Sequence, residues 1–352
     1  MIPINIPFEP DLESIHEKLK IIHKNKWYTN FGPFHEELTV ALEKYLGVKN
    51  LLLVSNATVG LQVAYKALNV KFPLMTPFSF IATSKAAEWV GLNIDYSDID
   101  PVSLNLCPVT LNKNIKNEHD AIVATHVYGN PCDVIEIERI AKKNNVKVIY
   151  DAAHAFGIEY CEQSVLNYGD ASVISFHATK LFHTIEGGAI IFKDRNDYIK
   201  AKKMINFSVD NWSESGTNGK LNEYQSAVGL DNLKYIDEVL SHRRKLYKLY
   251  KDSLTGIVQL QSWNDSSTFN GAYFPIILKN EEELLSVSSI LHSKGVNSRR
   301  YFWPTLNQFH NSAIETTNSN DISSRILCLP LYYYLKEADV IHICKLIKGI
   351  LK

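Results

Sequence analysis

The chain predicts an α/β fold, with a large layered domain built on a strand sheet and a smaller α+β domain after it. Three observations carry this reading. Short β-branched runs alternate with helical patterns through the first two-thirds of the 352 residues, the order expected when helices cover a sheet. Near Ser241 the texture changes to a basic helical stretch, one apolar run and two further helices. Apolar residues make up 45% and charged residues 21%, a globular balance at a length that suits two domains.

Residues 51–54, all leucine and valine, predict a buried strand, and 57–68 the helix after it. A second strand begins at 73–76 and is followed by a helix over about 81–89. Strands at 121–126 and 146–151 flank a helix over 134–144, and strands at 172–176 and 188–192 complete the series. A helix over 233–250 is expected to join the two domains, 1–240 and 241–352, and it carries His242-Arg243-Arg244-Lys245 as a basic stretch. Beyond it, 272–278 reads as a strand, and 281–293 and 337–351 as helices.

Composition excludes several function classes. With 37 basic and 38 acidic residues the formal net charge is -1, so no global basic field exists to hold nucleic acid. No apolar run reaches the ~18–20 residues needed to cross a bilayer. The first residues lack a charged segment followed by an apolar one, so no signal peptide is expected and the expected location is cytoplasmic. Cys107, Cys132, Cys161, Cys328 and Cys344 form neither a CxxC pair nor any metal-ligand spacing. They read as reduced thiols, and no metal is expected. An early strand followed by G-x-G-x-x-G is missing, which counts against a dinucleotide-binding protein.

The informative stretch runs through Asp151-Ala152-Ala153-His154, Ser175-Phe176-His177-Ala178-Thr179-Lys180 and Glu186-Gly187-Gly188. Asp151 and Lys180 each fall just past a predicted strand, and ligands of open α/β sheets gather at the carboxyl edge of the strands. A lysine able to form a Schiff base and a carboxylate able to hold a pyridinium nitrogen are what pyridoxal phosphate needs. A freed lysine can also serve as a general base. On spacing alone, an acid capping a strand end and a solvated lysine remain an equal alternative.

The motifs resemble those of the DegT/DnrJ/EryC1/StrS family of sugar aminotransferases, over nearly the whole chain. They include Trp27-Tyr28-Thr29-Asn30-Phe31-Gly32-Pro33, Ser55-Asn56-Ala57-Thr58, Thr76-Pro77-Phe78-Ser79-Phe80-Ile81-Ala82-Thr83, His126-Val127-Tyr128-Gly129 and Asp151-Ala152-Ala153-His154. Ser175 to Lys180, Gly216 to Glu223 and Arg299-Arg300-Tyr301-Phe302 complete them in the same order. The resemblance implies the type I fold of pyridoxal-phosphate enzymes, with a mainly parallel seven-stranded sheet. It implies that Lys180 carries pyridoxal 5'-phosphate, that Asp151 pairs with the pyridine nitrogen and that His154 contacts the phenolic oxygen. Phe80 matches an aromatic that lies on the ring face.

Thr58 and Val59 open a helix straight after a strand, where free amides and the helix dipole favour an anion. The family commonly has Gly-Thr where this chain has Ala57-Thr58, which removes backbone freedom and keeps hydroxyl and amides. Ser175 resembles a second phosphate ligand. Asn218 matches a residue supplied by the neighbouring subunit, which implies a homodimer with shared sites. Some relatives carry histidine at the lysine position and dehydrate; this chain keeps Lys180, which implies amino transfer. L-glutamate is the expected donor and a nucleotide-sugar the acceptor, with Tyr28, His177, Arg299 and Tyr301 as its candidate contacts, and neither nucleic acid nor membrane as a partner. Residues 25–30, 175–180 and 299–304 look closest to members that act on dTDP-4-keto-6-deoxyglucose. A member aminating carbon 3, or a non-catalytic sugar-nucleotide binder on the same fold, stays open as an alternative.

Overall fold

The computed structural model describes residues 1–211, 214–309 and 314–351. Its main sheet contains β1 (Leu51–Val54), β2 (Pro73–Met75), β3 (Asp95–Tyr96), β4 (Ala121–Thr125) and β5 (Lys147–Asp151). A short hairpin follows, β6 (Glu159–Tyr160) and β7 (Gln163–Ser164), before the sheet resumes with β8 (Ala171–Ser175) and β9 (Gly188–Phe192). The order across the seven-stranded sheet is β1-β9-β8-β5-β4-β2-β3. Every pairing is parallel except the two made by β9.

Alternation along each strand feeds two cores. Leu51, Leu53, Leu74, Ile122, Ala124, Tyr150 and Ile174 enter one, while Leu52, Val54, Met75, Val123, Ile149 and Val173 enter the other. Helices cover both faces, which is why these strands read as unbroken apolar runs. Sequence and structure agree on the helix between β1 and β2, Ala57–Ala67, and on Val134–Asn144 between β4 and β5. Both begin at side-chain caps, Asn56 on the Val59 amide and Asp133 on the Glu136 amide.

A second, antiparallel sheet joins β10 (Gln259–Leu260), β11 (Phe274–Ile277) and β12 (Ile326–Leu329) in that order. Helices Glu281–Ser293 and Glu337–Ile350 pack on it through a third core containing Leu284, Val287, Val340 and Ile343. Helix Ile236–Leu254 serves two cores, with Ile236, Val239 and Leu240 in the first and Leu246, Tyr250 and Leu254 in the third.

The single helix expected over 233–250 is corrected here. One helix ends at Leu233 and the next begins at Ile236. Tertiary hydrogen bonds fix the last turn of the first: Asp231 accepts from the Asp11 amide and the Ser14 hydroxyl, and Asn232 donates to the His183 carbonyl. Within the basic stretch Arg243 is buried and donates to the carbonyls of Gly271 and Ala272. The residues before Leu12 also reach the far end of the chain, with Ile2 bridging to Val296. Among the described residues, no helix is long and apolar enough to cross a membrane, and no cluster of three metal-ligating side chains occurs.

Candidate active site

The parallel strands β4, β5 and β8 end at Thr125, Asp151 and Ser175 on one edge, and β1 ends at Val54 beside them. Because β9 runs the other way, its first residue, Gly188, lies at that edge, paired with both Val54 and Ser175. A Cβ at Gly188 would meet the Ile174 carbonyl oxygen at 2.8 Å and the Ala57 nitrogen at 2.9 Å. The glycine therefore lets the start of the helix Ala57–Ala67 approach the sheet.

A cavity of about 300 Å³ opens over this edge. Of the twelve residues singled out in the sequence, nine line it: Thr58, Phe80, Asp151, His154, Ser175, His177, Lys180, Arg299 and Tyr301. Val59 does not; its side chain packs against the second core and its amide donates to Asn56 Oδ1 at 2.9 Å. Tyr28 stands apart, half exposed against His23 and Tyr224. Asn218 is exposed and lies outside the cavity of its own chain. Arg300 also faces away, held by Glu281 at 2.8 Å and over the Trp303 ring.

Lys180 is half-buried in the cavity wall, where lost hydration pulls its amine down to about 8 against the opposing pull of Asp151. Its Nζ lies 3.3 Å from the Tyr273 hydroxyl. Burial pushes the Asp151 carboxyl above its ordinary range, opposed by hydrogen bonds from the Thr83 hydroxyl at 2.6 Å and the Ala153 amide at 3.1 Å and by the charge of Lys180. No lysine, arginine or histidine comes within ion-pair distance of Asp151 among the described residues. His154 Nδ1 accepts the Tyr128 amide at 3.2 Å, so the proton of the neutral ring sits on Nε2. Burial, aided by Lys180, holds that imidazole well below its usual range.

At the other end, Asn56 caps Val59 and leaves the Ala57 and Thr58 amides without an acceptor among the described residues. Ser175 and the Thr58 side chain stand at the same rim. His177 Nδ1 sits 2.8 Å from the Thr179 hydroxyl, and its Nε2 lies 3.6 Å from Glu186. Arg299 lies over the Tyr301 ring at 4.9 Å.

These residues fit pyridoxal phosphate on the structure's own terms. A buried carboxylate with no cation at ion-pair distance among the described residues suits a protonated ring nitrogen, a neutral N–H donor suits the phenolic oxygen, and two free amides suit a phosphate. The sequence reading gave no role to Thr83 or Tyr273. Thr83 closed a family motif without an assigned contact, and Tyr273 sat inside an expected strand; only the fold brings them to Asp151 and Lys180.

The comparisons with known proteins now decide the kinship. A family model described as the DegT/DnrJ/EryC1/StrS aminotransferase family matches residues 11–348. The chain belongs to this family. It is a pyridoxal-phosphate-dependent transaminase. A dTDP-4-amino-4,6-dideoxy-D-glucose transaminase of Shigella dysenteriae is 39% identical, over 98% of this chain and 97% of that protein. One of the same description from Escherichia coli is 34% identical, over 99% and 98%. Among solved structures, DesI in the presence of its TDP-sugar product superposes with a TM-score of 0.94 at 27% identity, covering 99% of this chain and 93% of that one. The family fold, an α/β architecture with a mostly parallel seven-stranded sheet, is the one described above.

Proposed function

We propose that this aminotransferase moves an amino group from L-glutamate to carbon 4 of dTDP-4-keto-6-deoxy-D-glucose, giving dTDP-4-amino-4,6-dideoxy-D-glucose. The observation that carries the reading is one cavity lined by an amine of lowered basicity, a buried acid and Arg299. The full-length likeness to two transaminases of that description supports the choice of sugar. Such a product serves surface polysaccharide assembly, including O-antigen, and its synthesis belongs in the cytoplasm. The division of labour between residues 1–240 and 241–352 is part of the same reading, since the cavity draws Lys180 and Asp151 from one and Arg299 and Tyr301 from the other.

Bound there, pyridoxal phosphate supplies an electron sink for negative charge developing at the substrate carbon. Lys180 would hold it covalently and, when free, its Nζ would carry the proton that amino transfer moves. Asp151 would keep the ring nitrogen charged, and His154 would donate Nε2–H to the phenolic oxygen. Thr58, Ser175 and the first amides of the helix Ala57–Ala67 hold the phosphate. Phe80 covers a ring face, half exposed at the rim. Arg299 offers a planar charge to the substrate diphosphate, with Tyr301 and His177 beside it. Tyr28 and Asn218 do not reach their own cavity, so we assign them to the site of a second copy in a homodimer.

Incubation with L-glutamate and dTDP-4-keto-6-deoxy-D-glucose should yield a product with the mass of the amino-sugar and an NMR signature of a carbon-4 amine. A carbon-3 amine, or tight binding of the nucleotide-sugar without turnover, overturns this assignment.

A further inference from the structure

Asp151 is joined to a run of three buried hydroxyls that no part of the assigned chemistry uses. Thr125 Oγ1 donates to Ser79 Oγ at 2.9 Å, Ser79 Oγ lies 2.7 Å from Thr83 Oγ1, and Thr83 Oγ1 donates to Asp151 Oδ2 at 2.6 Å. The four side chains come from separate places in the sequence. Thr125 ends β4 in register with Asp151 at the end of β5. Ser79 lies in the loop after β2, and Thr83 in the first turn of the helix Ala82–Trp89. All three hydroxyl residues are buried, at 2% exposure or less.

The direction of the run is fixed at both ends. A hydroxyl has one proton to give. An ionised carboxylate only accepts, so Thr83 spends its proton on Asp151. Thr125 spends its own on Ser79. The proton between Ser79 and Thr83 must then come from Ser79. Each donated bond polarises the next in a dry interior, so the last donor is stronger than an isolated threonine.

We propose that Thr125, Ser79 and Thr83 form a one-way donor chain that holds Asp151 charged and in place for the ring nitrogen of the cofactor, with Thr83 as its positioning residue. Charged or titratable groups near Asp151 are Lys180 on the loop after β8, His154 after β5 and Tyr65 on the helix Ala57–Ala67. Burial keeps Tyr65 protonated and His154 neutral. Among the described residues, Lys180 is the cation whose charge acts on Asp151, and bonding to the cofactor commits that amine elsewhere. The three hydroxyls then remain its standing support, together with the Ala153 amide. This rests on the cofactor site and not on the sugar, so failure of the sugar assay leaves it standing.

The test compares two ligands of the purified apoprotein, pyridoxal phosphate and its analogue with C–H in place of the ring nitrogen. Thr83→Val keeps the shape and removes the hydroxyl. It should weaken pyridoxal phosphate by about ten- to a hundredfold and leave the analogue's affinity unchanged. Ser79→Ala, whose effect must pass through Thr83, should act in the same direction by a smaller factor. Thr83→Ser, which keeps the donor, should restore wild-type binding. Equal weakening of both ligands, or unchanged binding of both, would mean that the chain serves the fold and not the acid. Thermal unfolding of each apoprotein identifies any variant that fails to fold; if Thr83→Val does, Ser79→Ala decides the question, with weakening of pyridoxal phosphate alone supporting the chain and equal or no weakening of the two ligands overturning it.

Discussion

At Lys180, burial strips hydration from an ammonium and leaves the amine easier to deprotonate, near pH 8 in place of the ordinary lysine range. The sign is clear for the apoprotein. Above that value the side chain is a free nucleophile; below it the proton returns and blocks attack. The rate at which apoprotein captures pyridoxal phosphate should therefore rise with pH through a midpoint near 8. A midpoint near 10, the value of an exposed lysine, would show that the cavity wall around it is wet. Asp151 sits under the opposite pressure, since burial favours its neutral form. Asp151→Asn should lower turnover by about a hundredfold or more, read in steady-state kinetics with saturating cofactor. Both residues were legible in the sequence because the family motifs that hold them fall at and after the ends of β5 and β8. Tyr273, 3.3 Å from Lys180 Nζ, was not, because nothing in its own neighbourhood distinguishes it from a packed strand residue.

Among the elements, the helix Ala57–Ala67 does most to position the anion end of the cavity. Its start depends on the Asn56 cap and on the missing side chain at Gly188. Gly188→Ala places a methyl group against backbone on two sides, with a cost of about 1–3 kcal/mol, and pushes the Ala57 amide away from the sheet. The expected result is a lower unfolding temperature together with weaker binding of pyridoxal phosphate. Wild-type affinity in that variant would place the phosphate elsewhere. The elements that the sequence disclosed are those with enough residues to show a period. Strands of four or five residues, such as β1 and β8, were found within a residue or two. The two residues of β3 have no period to show, and neither do those of β10. The break between Leu233 and Ile236 has no glycine or proline to mark it; contacts from Asp11, Ser14 and His183, distant in sequence, set it.

Across the whole molecule, the cavity takes its acid and its lysine from the edge of the large sheet and its arginine from beside the small one. Arg243 braces the segment that enters the cavity at Tyr273, since its guanidinium holds the Gly271 and Ala272 carbonyls just before it. Placement of Asn218 outside its own cavity fits our assignment of a shared site. If that holds, inactive Lys180→Ala and Asn218→Ala proteins should regain activity when mixed and allowed to exchange subunits. Each mixed dimer then carries one site with both residues intact. No recovery would mean that every copy works alone. The family fold could be read from motif order along the chain, whereas the shared geometry depends on an interface that a single sequence does not display. The central claim is that one amine tethers the cofactor, and the Lys180→Ala protein tests it most directly. Incubated with pyridoxal phosphate and L-glutamate, that protein should show neither the visible absorbance of covalently held cofactor nor amino transfer. Turnover at the wild-type rate would contradict the account.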